Sequence, residues 1–291
     1  MGAMLRSSLV IFGLFSAWTA TAAPNAVVDA VQAPAWRERA EQRLPLTPGM
    51  TLENRDRVIT GNRARAIIQL ADGSAVKFGE NVSVAVTETK QEKSGSFSAA
   101  LDMVKGAFRL TTDIFRKYQT QRAINVRTGT VTIGIRGTDL WGRSDSEKDF
   151  VCLLEGRIAV SHPQGEPTEL TEPLQFYGAE KGKAPGPVAS VEREQLAKWA
   201  LETELQDAFG TQKQGGRWSL RFGQYSEVEA LALYDQFNAA GYAAKIMPLR
   251  ADGGFVYEVR LGQLVTEREA RALADRLARD LHVPAPTLSR H

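Results

Sequence analysis

Seven polar or aromatic side chains near the end of the chain have types and spacing suited to binding a sugar polymer. They cluster around two similar segments, LRFGQYS at 220–226 and VRLGQLV at 259–265. Arginine forks, carboxylates and amides offer several fixed donors or acceptors, which suit sugar hydroxyls, N-acetyl carbonyls and lactyl carboxylates. The candidate glycan-binding residues are Ser219, Arg221, Gln224, Tyr225, Glu258, Arg260 and Gln263.

Alternation along the two segments divides their side chains between two faces. Strand geometry predicts Leu220 and Phe222, with Val259 and Leu261, on a buried face, and the arginines on the opposite face. An ordinary alternative is a solvated face with a cross-strand Arg–Glu pair, which stabilises a sheet by well under ~1 kcal/mol. Tyr225 fits two roles that the sequence does not separate: stacking on a sugar ring, or closing the core beneath the first helix.

Each segment is followed by a polar turn and a helix-like stretch, EVEALAL from residue 227 and EREARAL from residue 267. A strand–helix unit used twice predicts a small antiparallel sheet, arranged βαββαβ, with two helices on one face. The other face is then open to a ligand.

This part of the chain resembles the SPOR domain in four blocks, at 218–226, 239–246, 257–264 and 267–273. The resemblance covers essentially all of 217–288. It implies an RNP-like fold that binds peptidoglycan, with a preference for glycan strands stripped of stem peptides, which accumulate at division septa. One departure is that Gly262-Gln263-Leu264 stands where the family commonly has Gly-Pro-Phe.

From about residue 51 to 174 the hydrophobic period is two, as in AIIQL from residue 66 and VSVAV from residue 82. Asp-Gly and Glu-Gly pairs at 72–73 and 155–156 permit the positive φ of tight turns. Many short strands at this spacing predict an all-β sandwich or roll.

Four blocks of this region resemble the FecR domain: 70–79, 105–108, 126–139 and 154–160. The resemblance implies partner or ligand sensing rather than catalysis. Founding members of that family act in iron-uptake signalling and have a cytoplasmic segment and one membrane span, neither of which is expected here. The Arg136-Gly137-Thr138 element is interpreted as a corner between strands, because no helix follows it to form a phosphate site.

The remaining segments complete a multidomain organisation. One charge, an apolar run at 9–18 and small residues at 20–22 predict a cleavable signal peptide over 1–22, hence export to the periplasm of a Gram-negative bacterium; retention as an anchor is the alternative. Residues 23–50 are expected to be a lead-in helix and linker, and 51–190 the β domain. A linker helix ending near residue 209, with a Gly-rich joint, is expected over 191–216, which predicts loose tethering of the domain at 217–291.

Little in the chain points to catalysis. Three histidines and one cysteine provide no zinc-ligand spacing and no Cys–His pair, so no catalytic residue, metal or cofactor is predicted. A net charge of +2 gives no electrostatic basis for binding nucleic acid. Cys152, within an apolar strand, is expected to be a small buried hydrophobe.

The leading hypothesis is therefore a non-enzymatic envelope protein that binds denuded peptidoglycan at the division septum through the SPOR-like domain. Its FecR-like domain would present a surface for an envelope protein or a sensed ligand. One alternative is a component of envelope or iron-uptake signalling tethered to the wall. A second is a peptidoglycan hydrolase with an unrecognised site.

Overall fold

The computed structural model describes residues 25–91, 96–112 and 122–290. The predicted signal peptide, 1–22, lies outside the described residues. Within the described ranges, no helix is both long enough and apolar enough to cross a membrane.

The described residues form 21 strands and three helices in the following order. The first nine strands are β1 (Ala26–Gln32), β2 (Ala35–Arg39), β3 (Gln42–Pro45), β4 (Arg57–Thr60), β5 (Arg65–Leu70), β6 (Ala75–Phe78), β7 (Ser83–Gln91), β8 (Phe97–Thr111) and β9 (Arg122–Arg127). Next come β10 (Thr132–Ile135), β11 (Asp139–Ser144), β12 (Lys148–Glu155), β13 (Ile158–Ser161), β14 (Thr168–Leu170), β15 (Gln175–Glu180), β16 (Ala189–Ser190) and α1 (Arg193–Leu201). The remainder is β17 (Thr211–Lys213), β18 (Trp218–Tyr225), α2 (Glu227–Ala239), β19 (Ala244–Ala251), β20 (Gly254–Leu264), α3 (Glu267–Leu281) and β21 (Thr287–Arg290).

The first domain is an all-β sandwich whose two sheets share the long strand β8. One sheet runs β1-β5-β6-β8-β11-β12-β15-β16, and the other runs β3-β2-β4-β7-β8-β9-β10-β13-β14. Strand β8 changes sheets at Gly106, where φ is +100° and an added Cβ would meet the Cα of Val82 at 2.7 Å. Because that backbone favours glycine, Gly106 provides the corner between the sheets. The predicted β class is confirmed.

The second domain has the predicted βαββαβ arrangement. Its sheet has the order β21-β18-β20-β19, all antiparallel. Helices α2 and α3 pack on one face through Phe237 and Leu277, which are both fully buried. A capping box from Ser226 and Glu229 begins α2, and the Thr266 hydroxyl accepts from the backbone of Glu269 at the start of α3.

The lead-in segment is not helical, contrary to the sequence-based expectation. Strand β1 pairs with β5 of the sandwich, and β2 pairs with β3 and β4. The alanines and charges of 26–42 tolerate a helix, but Val28 and Val31 are completely buried within the sandwich. Packing between neighbouring strands therefore overrides a weak local preference for a helix.

The segment between the domains also differs from the prediction. Helix α1 ends at Leu201, which is 66% exposed, rather than near residue 209. Trp199 holds this helix against the sandwich by stacking on Trp141, with ring centroids 4.8 Å apart and planes 5° apart. Aromatic stacking on a buried ring therefore positions α1, not an apolar stripe.

Beyond α1 the chain joins both domains directly, so the predicted loose tether is not observed. Strand β17 pairs with β1 of the sandwich through three residues and with β20 of the second domain at Gln212 and Leu264. The Gln32 side chain donates to the carbonyl of Gln206 and, at 2.8 Å, to the hydroxyl of Thr211. A strand shared by two domains fixes their relative orientation.

Gly216, interpreted above as part of a flexible joint, is a site of close backbone approach. A Cβ added there would lie 2.1 Å from the carbonyl oxygen of Gln263. At the preceding Gly215, with φ +82°, an added Cβ would meet nothing within 4 Å. Gly216 therefore allows the backbone of β20 to pack closely against it, whereas Gly215 allows the left-handed backbone of the turn.

Gly216→Ala is expected to lower the free energy of unfolding by about 3 kcal/mol, because the backbone must move to accept the methyl group. Gly215→Ala is the matched control, with an expected cost of about 1–2 kcal/mol from its left-handed backbone alone. Urea unfolding followed by circular dichroism measures both. Equal losses in the two variants would contradict the close approach.

Cys152 is a free thiol with no exposed surface, as predicted. Burial raises its pKa to about 11. At pH 8 roughly one thiol in a thousand is then ionised, and the thiolate is the reactive form. We expect the folded protein to resist iodoacetamide at pH 8 and to react fully in urea, as mass spectrometry would show. Rapid labelling of the folded protein would mean that this strand opens readily.

Candidate functional site

The two central strands of the second domain, β18 and β20, present different chemistry on their two faces. Leu220, Phe222, Val259 and Leu261 are buried against the helices, as the alternation predicts. Arg221 lies opposite Arg260 in the strand register and on the other face. The face that the helices leave uncovered therefore carries a pair of arginines.

Glu258 lies between these arginines and is 4% exposed. Its Oε2 accepts from Nε and Nη2 of Arg221, each at 2.7 Å, and its Oε1 accepts from Nε of Arg260. The carboxylate therefore engages both guanidinium groups and is itself shielded from solvent. In this arrangement Glu258 holds the two guanidinium groups in place.

The arginines remain accessible on their outer sides. Their side chains are 36% exposed at Arg221 and 23% exposed at Arg260. We call Arg221, Glu258 and Arg260 together the bridged arginine pair. Because one carboxylate neutralises only one of two cations, the bridged arginine pair keeps a positive charge and free N–H groups for an anion or for sugar oxygens.

Two further residues extend this face, and sequence reasoning missed both. On the neighbouring strand β19, Lys245 pairs with Arg260 and Met247 pairs with Glu258 in the register. Lys245 is exposed, and Met247 is 37% exposed. Extending the alternation to a third strand would have found them, but their segment lacks the repeated Arg and Gln that marked the other two.

The other predicted residues are not part of the bridged arginine pair. Ser219 is 1% exposed, and its hydroxyl lies 3.5 Å from the carbonyl oxygen of Ser289 on β21. Gln224 is exposed at the end of β18. The Tyr225 ring packs against the core, and it lies so close to Gly223 that an added Cβ would be 2.9 Å from it. This placement favours the core-closing role of Tyr225 over sugar stacking.

Gln263 points toward the sandwich rather than along the open face. Its Oε1 accepts from the Thr47 hydroxyl at 3.3 Å. The structure therefore brings together Arg221, Glu258 and Arg260. Ser219 lies on the same face of β18 as Arg221 but is buried, and Gln263 is turned toward Thr47.

Among the described residues, no three His, Cys, Asp or Glu side chains are grouped so that they could hold a metal ion.

The architecture is a β sandwich joined to a small α+β domain with a cationic open face. The FecR protein family model matches residues 56–159, and the SPOR domain model matches residues 214–288. The chain therefore combines a FecR domain with a SPOR domain, as its sequence predicts.

Comparison with curated proteins gives no match. Among solved structures, the chain is similar to two crystal structures of "a putative anti-sigma factor" from Parabacteroides distasonis, at 2.50 and 1.65 Å resolution. Each has 12% sequence identity and a TM-score of 0.41. The alignments cover 78% and 81% of this chain, and 92% and 99% of those chains.

Proposed function

We propose that this chain is an exported, non-enzymatic protein of the cell envelope that binds the glycan strands of peptidoglycan through its SPOR domain. The observation that carries the proposal is the bridged arginine pair on the uncovered face of the sheet. The match to the SPOR domain model supports peptidoglycan as the polymer. The FecR and SPOR classes are binding and signalling domains, which supports a role without catalysis.

The chemistry of the arginine pair favours glycan from which stem peptides have been removed. An attached peptide converts the lactyl carboxyl of a muramic residue into an uncharged amide, whereas its removal leaves a carboxylate. A carboxylate is the group that a guanidinium fork binds best, through two parallel N–H donors. Since such strands accumulate at division septa, the proposed site of action is the septal wall.

The FecR domain is proposed to present a surface for an envelope partner or a sensed ligand. Because β17 pairs with strands of both domains, wall binding would hold this surface in a fixed orientation rather than on a flexible tether. A second candidate function is a signalling component anchored to the wall, which the FecR match at 56–159 favours. In that case the wall domain sets the location and the sandwich receives the signal.

Co-sedimentation of the full chain, without residues 1–22, with purified sacculi tests the proposal. We expect the protein to pellet with sacculi and to remain soluble without them. The supernatant should contain no released muropeptides, because no hydrolysis is proposed. Failure to pellet would contradict wall binding, and soluble muropeptides would support the hydrolase alternative.

A further inference from the structure

A second polar cleft lies in the sandwich domain, apart from the bridged arginine pair. Its volume is about 500 Å³, within the range of sites for small organic ligands. Its walls include the turn after β6, the corner of β8 at Gly106, the turn between β11 and β12, and the residue after α1. Six charged side chains line it: Arg65, Glu80, Lys105, Arg143, Asp145 and Glu202.

Arg65 is the buried cation of this cleft, with 5% of its surface exposed. Its Nη1 donates to the carbonyl of Ala64 at 2.8 Å, but its buried Nε has no hydrogen-bond partner among the described residues. Burial lowers the pKa of Arg65, and the charges of Glu80 and Glu202 act in the opposite direction. A desolvated guanidinium with an unused donor is costly unless an anion binds to it.

Glu202 is the carboxylate of the cleft with the weakest pairing. Its oxygens lie 3.3 and 3.4 Å from Nη1 of Arg143. These distances are longer than the about 2.7–2.9 Å that is usual between a charged donor and a charged acceptor. Burial raises the pKa of Glu202, and Arg143 and Arg65 only partly offset this effect. A closer cation would therefore be favourable at this carboxylate.

The other two carboxylates already serve the backbone. Oδ1 of Asp145 accepts from the N–H groups of Glu147 and Lys148 at 2.8 and 2.9 Å. Oε2 of Glu80 accepts from the N–H of Arg63 at 2.6 Å. Of the other two cations, Lys105 is exposed and Arg143 already pairs with Glu202. Arg65 and Glu202 are thus the least solvated groups of opposite charge that are left to bind a ligand.

The six charged side chains of the cleft are three basic and three acidic, so the cleft has no net formal charge. A ligand of one sign would leave either Arg65 or Glu202 unsatisfied. We propose that the cleft binds a small zwitterion of the short-peptide class, with its carboxylate on Arg65 and its ammonium on Glu202. This inference rests on the proposed sensing role of the FecR domain and names the chemistry that it would sense.

Isothermal titration calorimetry of the full chain, without residues 1–22, with trialanine tests the proposal. N-acetyl-trialanine, which lacks the ammonium, and trialanine amide, which lacks the carboxylate, are the matched probes. We expect trialanine to bind and each capped form to bind at least about tenfold more weakly, which corresponds to ~1.4 kcal/mol. No binding of trialanine, or equal binding of a capped form, would overturn the proposal.

Two variants separate ligand contact from a structural role. Arg65→Met and Glu202→Gln are each expected to weaken trialanine binding at least about tenfold, with Glu194→Gln on the exposed side of α1 as the control. Arg65→Met should keep or raise the melting temperature, because it removes a desolvated charge. A lowered melting temperature with unchanged binding would overturn the role of Arg65, and Glu202→Gln tests the cleft even if Arg65→Met does not fold.

The same variants should still pellet with sacculi, because the cleft is separate from the bridged arginine pair. Loss of trialanine binding with wall binding intact therefore reports on the cleft alone. If the wild-type protein binds trialanine but not sacculi, the wall-binding proposal fails and the cleft proposal stands.

Discussion

Replacing Arg221 and Arg260 together with alanine is expected to weaken binding to stripped glycan by about 100-fold, at ~1.4 kcal/mol for each arginine. The two guanidinium groups are the exposed donors that Glu258 holds in place. Their loss removes both bidentate contacts with ligand carboxylates and leaves Glu258 as an unpaired buried anion. Fluorescence anisotropy with labelled glycan strands measures the change.

Arg268→Ala with Arg271→Ala is the matched control, because it removes the same charge from exposed positions on α3. We expect it to leave affinity within about twofold, since the exposed pairs of Arg268 with Asp207 and of Arg271 with Glu267 contribute little. A double replacement of Arg221 and Arg260 with lysine keeps the charge but not the fork, so it should restore only part of the affinity. Equal affinity of wild type and the alanine pair at 221 and 260 would exclude the open face as the site.

Replacing Glu269 with alanine is expected to lower the free energy of unfolding by about 3 kcal/mol. Glu269, on the first turn of α3, is 4% exposed. Its carboxylate accepts from the backbone N–H groups of Ala208, Phe209 and Thr211 at 2.7, 2.9 and 2.8 Å. Its removal leaves these donors without a partner and loosens the segment that joins the domains.

Glu267→Ala, two residues earlier on the same helix, is the control for this prediction. Its carboxylate is 45% exposed and pairs with Arg271 one turn later, an interaction that contributes about 0.3–0.5 kcal/mol. Urea unfolding and limited proteolysis within 202–211 should therefore separate the two variants. Similar stability and similar cleavage would contradict the role assigned to Glu269.

The contacts of Glu269 also bear on where the C-terminal domain can be cut. A fragment that begins at residue 217 lacks the backbone donors at 208–211 and strand β17, which pairs with β20 at Gln212. Such a fragment therefore loses the three hydrogen bonds of Glu269 and the strand pairing at this end of the sheet. Binding experiments should therefore use the chain with both domains.

The fold class followed from local patterns that are strong in this sequence. Alternation placed Leu220 and Phe222 in the core correctly, and the strand–helix repeat predicted the order of the second domain. These features depend on neighbours in sequence, so periodicity reports them directly. Glycines were less informative, because Gly216 permits close packing although its setting beside Gly215 is typical of a flexible turn.

What the sequence did not predict depends on contacts between distant segments. Strand β1 is held by β5 and β17. Its three valines favour a strand, but its alanines, Asp29 and Gln32 do not, so the local signal is mixed. Similarly, Trp199 stacks on Trp141 and Glu269 caps the backbone at 208–211. No local signal marks such pairs in a single sequence. These long-range contacts are what join the two domains directly.

The candidate site was predicted in part for the same reason. Arg221, Glu258 and Arg260 share a face by alternation, but the bridging role of Glu258 requires knowing that β18 and β20 are neighbours. Gln263 has a φ of +62° and turns toward Thr47, which alternation does not anticipate. Lys245 and Met247 can be placed on this face only from the register of β19 against β20.

The central claim is that the uncovered face of the SPOR domain binds glycan with free lactyl carboxylates. The most direct measurement compares the affinity of the two-domain protein for glycan strands before and after an amidase removes their stem peptides. We predict an affinity at least about tenfold higher for the stripped strands, and a difference that narrows as salt screens the arginines. Equal affinity for both kinds of strand, or tighter binding to the peptide-bearing ones, would contradict the account.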